Sequence, residues 1–317
     1  TLEGIDPTDG SLSNSASDSL LLRGTGFQGQ SRYKLQVTMV SKSKALTCLQ
    51  VALHSGNDIS CSSATIPGGV TISANDAVVG SSNTIAANVE AVNAITAATI
   101  TGTKTPGITP RTMPDAAAFD YYILNGTSIT YASLPKQQAA NIEKVVLSPN
   151  NNPYGSGLTS PTGIYVINCL GGNLRIRNAR IVGTLVILNP GVFSVLESVN
   201  WEPAVANYPS LLVSGTAELA FTNTPLSESS LRVDFNQDTD KTDTYPSLIK
   251  GLIYASGDLT TKTYVTVDGV LVIGNTLTAQ NTLSLSYLST FYDNPPPGFG
   301  GAPEMVISPG TWKQLVD

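Results

Sequence analysis

The chain has 317 residues, of which 13% are charged, about half the roughly 25% of an average soluble domain. The net charge of −6 argues against a nucleic-acid partner, because backbone binding needs a basic face. A single histidine, His54, excludes multi-histidine metal sites and weakens any catalytic triad, while 41% hydrophobic residues exclude a disordered chain.

Residues 1–43 read as an N-terminal extension followed by a β segment. Residues 1–19 are polar. Ser31-Arg-Tyr-Lys-Leu-Gln-Val-Thr-Met-Val40 alternates polar and apolar residues, the pattern of a half-buried strand. Leu20-Leu-Leu-Arg-Gly24 is its expected hairpin partner, with the turn between Gly24 and Gly29. Tyr33, Leu35 and Val37 fall on one face of this strand. They are the expected self-assembly residues, since such a strand can complete a neighbour's sheet.

Residues 44–292 carry a repeat. Gly251-Leu-Ile-Tyr-Ala-Ser-Gly-Asp-Leu-Thr260 aligns with Gly269-Val-Leu-Val-Ile-Gly-Asn-Thr-Leu-Thr278. The same phrase occurs at Gly163-Ile-Tyr-Val-Ile167, Gly183-Thr-Leu-Val-Ile187 and Ser210-Leu-Leu-Val-Ser-Gly215. Its residues are strand formers punctuated by turn formers. The spacing is too short for a βαβ unit of about 30 residues. It predicts an all-β fold, a right-handed parallel β-solenoid (β-helix) with strands about 4.8 Å apart. Cys48–Leu53, 69–73, 83–86 and 94–101 read as earlier coils, and Leu283–Leu288 as the closing one. Predicted core residues include Leu49, Val51, Ile164, Val166, Leu185, Ile187, Leu211, Val213, Leu252, Tyr254, Val270 and Val272. Loop insertions are expected at 102–120, 148–162 and 234–247, and a proline-rich C-terminal cap at 293–317, with Trp312 folded back over it.

Candidate sites follow from residue type and spacing. Asp234, Asn236, Asp238 and Asp240 place oxygen ligands at alternate positions, as a calcium loop does. Thr239 and Tyr245 stand where such a loop needs glycine and glutamate, so a solvated acidic loop is the competing reading. Calcium is the one cofactor the sequence suggests. Cys48 and Cys61 are the candidate disulfide; the alternative is three buried thiols, including Cys169. A polysaccharide-cleaving site would need paired carboxylates on adjacent coils with a cation beside them. Arg175, Arg177, Arg180, Glu197, Glu202, Asp258 and Asp268 are the nearest approach, and solvated charges are the simpler account. His54 reads as a turn residue.

Several phrases carry a resemblance: Phe119-Asp-Tyr-Tyr-Ile-Leu-Asn-Gly-Thr127, Ile164–Ile167, Arg180-Ile-Val-Gly-Thr-Leu-Val186, Val199-Asn-Trp-Glu-Pro-Ala-Val-Ala-Asn-Tyr-Pro209, Asn294-Pro-Pro-Pro-Gly-Phe299 and the Pro-Gly-Thr-Trp ending. Over roughly residues 31–317 the chain resembles large exported proteins of planctomycete-type bacteria, themselves similar to type IV pilin-like (PilX-type) proteins. In those, a hydrophobic N-terminal helix precedes a right-handed β-helix. The resemblance implies a cell-surface or filament role and supplies no catalytic residues. The expected function is a structural, non-enzymatic subunit of an extracellular filament, pilus-like appendage or surface layer, a homo-polymer with no nucleic-acid partner. A carbohydrate-binding or polysaccharide-cleaving protein is the alternative, with cell-surface polysaccharide as its partner. Any membrane attachment is expected through a segment upstream of Thr1.

Overall fold

The computed structural model describes residues 1–13 and 18–315, apart from the side chains of Ser43 and Ala302. Residues 14–17 and 316–317 of the expected end segments lie outside it. The chain divides into two units, 1–45 with 300–317, and 46–299. The longest α-helix among the described residues, Asp120–Asn125, has 6 residues. Among the described residues no helix is long and apolar enough to cross a membrane.

The smaller unit is an antiparallel sheet. Leu2–Ile5 pairs with Leu20–Gln28, which pairs with Ser31–Ala45. The far edge of Ser31–Ala45 takes both Gly300–Ile307 and Lys313–Leu315. The expected hairpin partner is present, but residues 24–28, expected as turn, continue its strand, and the chain turns only at Gly29, with φ +61°. The expected C-terminal cap is not: these residues are strands of this sheet, and Trp312 stays 60% exposed. The physical reason is the 15-residue strand Ser31–Ala45, which offers ladder groups beyond its hairpin partner.

The larger unit is built from parallel strands in two runs. One run goes Thr127–Ser128, Ile164–Asn168, Thr184–Leu188, Pro209–Val213, Leu248–Ala255, Tyr264–Ile273, Leu53–Ser55, Thr71–Ala74, Asn88–Ala91, Lys104–Pro106. The other starts at Ala140–Glu143 and passes through Leu174–Val182, Phe193–Glu202, Ala217–Phe221, Leu259–Thr261 and Leu277–Tyr287 to Ile59–Ile66. The repeat phrases do lie side by side: Gly251 faces Gly269, and Ile164 faces Thr184.

The right-handed β-solenoid expected from these repeats is corrected by this topology. The parallel strands link into a closed barrel, and their order is not that of the chain. Strands from residues 53–106 follow those from 264–287, so Leu271 lies beside Leu53. The supposed closing segment, 283–288, is therefore interior: Leu283 pairs with Val265, while its neighbour Thr282 also faces Thr65.

Burial explains why these runs are apolar on both faces. Tyr165, Leu185, Leu211, Ile253, Leu271, Leu53 and Ile72 line up in register within the main core. The alternate positions Val166, Val186, Leu212, Tyr254 and Val272 are buried as well. Strands covered on both sides lose the polar–apolar alternation. All twelve predicted core residues are buried.

The cover is the segment 111–126, which begins inside the loop insertion expected at 102–120 and runs beyond it. It runs back along the first strand run. Arg111 donates to Glu90, Ser73, Gln50 and the Thr47 carbonyl. The Tyr254 hydroxyl donates to the Pro114 carbonyl, and Phe119 packs on the Tyr254 ring. A Cβ on Gly126 would lie 2.6 Å from Val166, so the segment ends pressed against the opposite end of the run. Neighbouring strands approach as closely: a Cβ on Gly269 would lie 1.9 Å from the Gly251 carbonyl oxygen, which explains the glycine in the repeat phrase.

Candidate functional site

The acidic insertion is a built structure rather than a loose loop. Leu226–Ser227 pairs with Thr244–Tyr245 and closes its base. Phe235 is buried against Val146 and Leu226. Glu228 is fully buried, and its carboxylate accepts from the backbone N–H of Phe235 at 2.5 Å, that of Asp243 at 3.2 Å, and the Tyr245 hydroxyl at 3.3 Å. These bonds compensate a charge that burial would otherwise penalise. Arg180 stacks over the Tyr245 ring at 4.6 Å and donates to the Phe235 carbonyl at 3.0 Å. Burial, then the neighbouring Glu228 carboxylate, push the Tyr245 phenol up to about 12.

This arrangement redistributes the four expected calcium ligands. Asp234 accepts backbone N–H groups of Gln237 and Thr239 and so caps its own turn. Asn236 turns its amide nitrogen, a donor, toward Asp238 at 2.8 Å and Asp243 at 2.6 Å. Among the described residues the converging carboxylates here are Glu228, Asp240 and Asp243, so Asp240 alone of the predicted ligands joins a set. A second converging set is Asp6, Asp9 and Asp18. Sequence reasoning missed Glu228 because it precedes the acidic run, on the short helix Glu228–Leu231.

The acids expected on adjacent strands are held by arginines. Arg177 donates to Glu143 at 2.8 Å and Glu197 at 3.2 Å, and Arg180 lies 3.9 Å from Glu202. Asp258 instead accepts from the Asn275 amide at 2.6 Å and the Thr276 N–H at 3.1 Å. Arg175 sits in register with Asn141 and Ser194, and Asp268 with Lys250 and Ser286. His54 is a fully buried strand residue, not a turn residue, and faces Val272 and Ser73. Burial, with the Arg111 charge adding to it, pushes its imidazole down to about 3.

The candidate disulfide does not form, and the alternative of three buried thiols is the one found: Cys48, Cys61 and Cys169 are all free and buried. Cys48 lies in the turn Thr47–Gln50, and Cys61 in the strand Ile59–Ile66, within the main core. Burial pushes the Cys48 and Cys61 thiols up to about 12 and that of Cys169 to about 11.

In the smaller unit the three expected self-assembly residues divide. Tyr33 and Leu35 are each 52% exposed, whereas Val37 is 2% exposed and unavailable to a partner. The pairing register puts Leu2 and Ile307 on the same side as Tyr33 and Leu35, and both are exposed. Gly24 and Gly26 lie on that side too, with open space where a Cβ would stand. The opposite side holds Arg23, Arg32, Lys34, Lys42, Lys44 and Lys313 against the acids Glu3 and Glu304. Glu3 lies 3.7 Å from Arg23, and Glu304 lies 4.0 Å from Lys44. The overall charge of −6 hid this basic face. Its signal was the alternation itself: Arg32, Lys34, Lys42 and Lys44 all fall on even positions of the strand, opposite Tyr33, Leu35 and Val37.

No protein-family model and no curated protein matches the chain. Among solved structures, the crystal structure of the competence-associated pilin ComZ from Thermus thermophilus is similar at 11% identity and a TM-score of 0.45, over 99% of this chain and 86% of that one. A likeness of this order carries no functional assignment, and no match supports the planctomycete-type family.

Proposed function

We propose that the chain is a structural subunit of an extracellular filament, pilus-like appendage or surface layer, and that it assembles with copies of itself. The observation that carries this reading is the apolar side of the smaller unit's sheet. Leu2, Tyr33, Leu35 and Ile307 are exposed together there, beside the open backbone of Gly24 and Gly26. Apolar side chains gathered on one sheet face mark a protein contact. A second copy is the occupant, since an identical sheet brings an identical apolar side to the contact. The test is static light scattering of the wild type and of a Tyr33→Asp, Leu35→Asp variant across a concentration series. Mass that rises with concentration in the wild type, and rises less steeply in the variant, supports the reading. Equal masses in the two would remove it.

A further inference from the structure

We propose that the basic side of the smaller unit's sheet docks onto the acidic insertion of a second copy, so that subunits join head to tail. The inference rests on the assembly reading and adds a second, electrostatic contact to it. Two surfaces of one chain are complementary. Every lysine and arginine of the smaller unit lies on one side of its sheet, where the strand period of two puts them. Lys42, Lys44 and Lys313 are exposed there. The insertion of the larger unit presents Asp238 and Asp240, both exposed, with Asp234 and Asp243 beside them.

The insertion is pre-organised for such a contact. Buried Phe235 and Glu228 anchor it, and aspartate carboxylates fix its turns through backbone N–H groups. A surface already ordered pays little conformational entropy when it docks. Because the two surfaces differ, the contact is heterologous, and each subunit carries one surface for each of two neighbours. Charge complementarity also sets orientation and encounter rate.

The experiment uses the full chain and two charge-reversed variants, Lys42→Glu with Lys44→Glu, and Asp238→Lys with Asp240→Lys. Sedimentation velocity is run in 50 mM and 500 mM NaCl. The wild type is expected to associate about tenfold more weakly in the higher salt. Each variant alone is expected to lose about tenfold in the lower salt. An equimolar mixture should regain wild-type association, because each variant then carries the complement of the other. Variants that associate like the wild type, or a mixture that does not recover, would overturn the inference while the apolar contact stands. A wild type that stays monomeric would overturn the assembly reading and this inference with it. Should a reversed variant fail to fold by circular dichroism, Lys42→Gln with Lys44→Gln and Asp238→Asn with Asp240→Asn replace the pair. Each is expected to lose about half as much in log affinity, and no loss overturns the inference. Binding of heparin that depends on Lys42 and Lys44, with self-association unchanged, would assign the basic side to a polyanion and overturn it too.

Discussion

The Arg111 guanidinium donates to the Glu90 carboxylate at 2.7 Å, and this ion pair pins the start of the returning segment 111–126 to the strand Asn88–Ala91. The pair is mostly shielded, with side chains 15% and 25% exposed. Arg111 also satisfies the Thr47 carbonyl and the Gln50 side chain. Arg111→Ala should cost about 1–3 kcal/mol, since it strands these partners. Glu90→Gln, which keeps a hydrogen-bond acceptor, should cost less. Urea denaturation midpoints check both, and a wild-type midpoint in Arg111→Ala would deny the pin any role.

His54 makes the fold acid-sensitive. Its folded value, about 3, lies below the ordinary 6.5, because burial disfavours the imidazolium. The unfolded chain therefore binds a proton that the folded chain refuses. The resulting stability is complete above about pH 6.5 and is lost as pH falls toward 3, at about 1.4 kcal/mol per pH unit. His54→Leu removes this term. The difference in unfolding free energy between wild type and variant should then be flat above pH 7 and change steadily between pH 6 and 4. A pH-independent difference would contradict the buried neutral imidazole.

The thiols give a third expectation. Cys48, Cys61 and Cys169 are free and buried, so the native protein should not react with Ellman's reagent within minutes. Three equivalents should react on unfolding in guanidinium. A single reactive thiol after unfolding, with two more released by a reductant, would show that Cys48 and Cys61 pair after all.

The fold was partly legible in the sequence, for physical reasons. The phrase shared by Gly251–Thr260 and Gly269–Thr278 was readable because parallel neighbours repeat the same strand and turn residues in register. The hairpin was readable from the alternation in residues 31–40. The pairing of Leu271 with Leu53 was not, because an apolar strand carries no local mark of which other strand it will meet. That pairing puts residues 53–106 beyond 264–287, closes the barrel out of chain order, and requires the returning segment. Pro114, and Pro110 just before it, gave that segment the composition of a loop, although Phe119 packs on the Tyr254 ring and the Pro114 carbonyl accepts from its hydroxyl. The acidic insertion was legible by composition. Its organiser, Glu228, was not, because a glutamate that folds back to receive two backbone N–H groups looks like any other in sequence.

Self-association of the wild-type chain bears most directly on the proposed role as a structural subunit. Sedimentation velocity in 50 mM NaCl over a hundredfold range of concentration decides it. The weight-average sedimentation coefficient is expected to climb with concentration, as self-assembly requires. A single species with the mass of one chain, 33.1 kDa, at every concentration would contradict it.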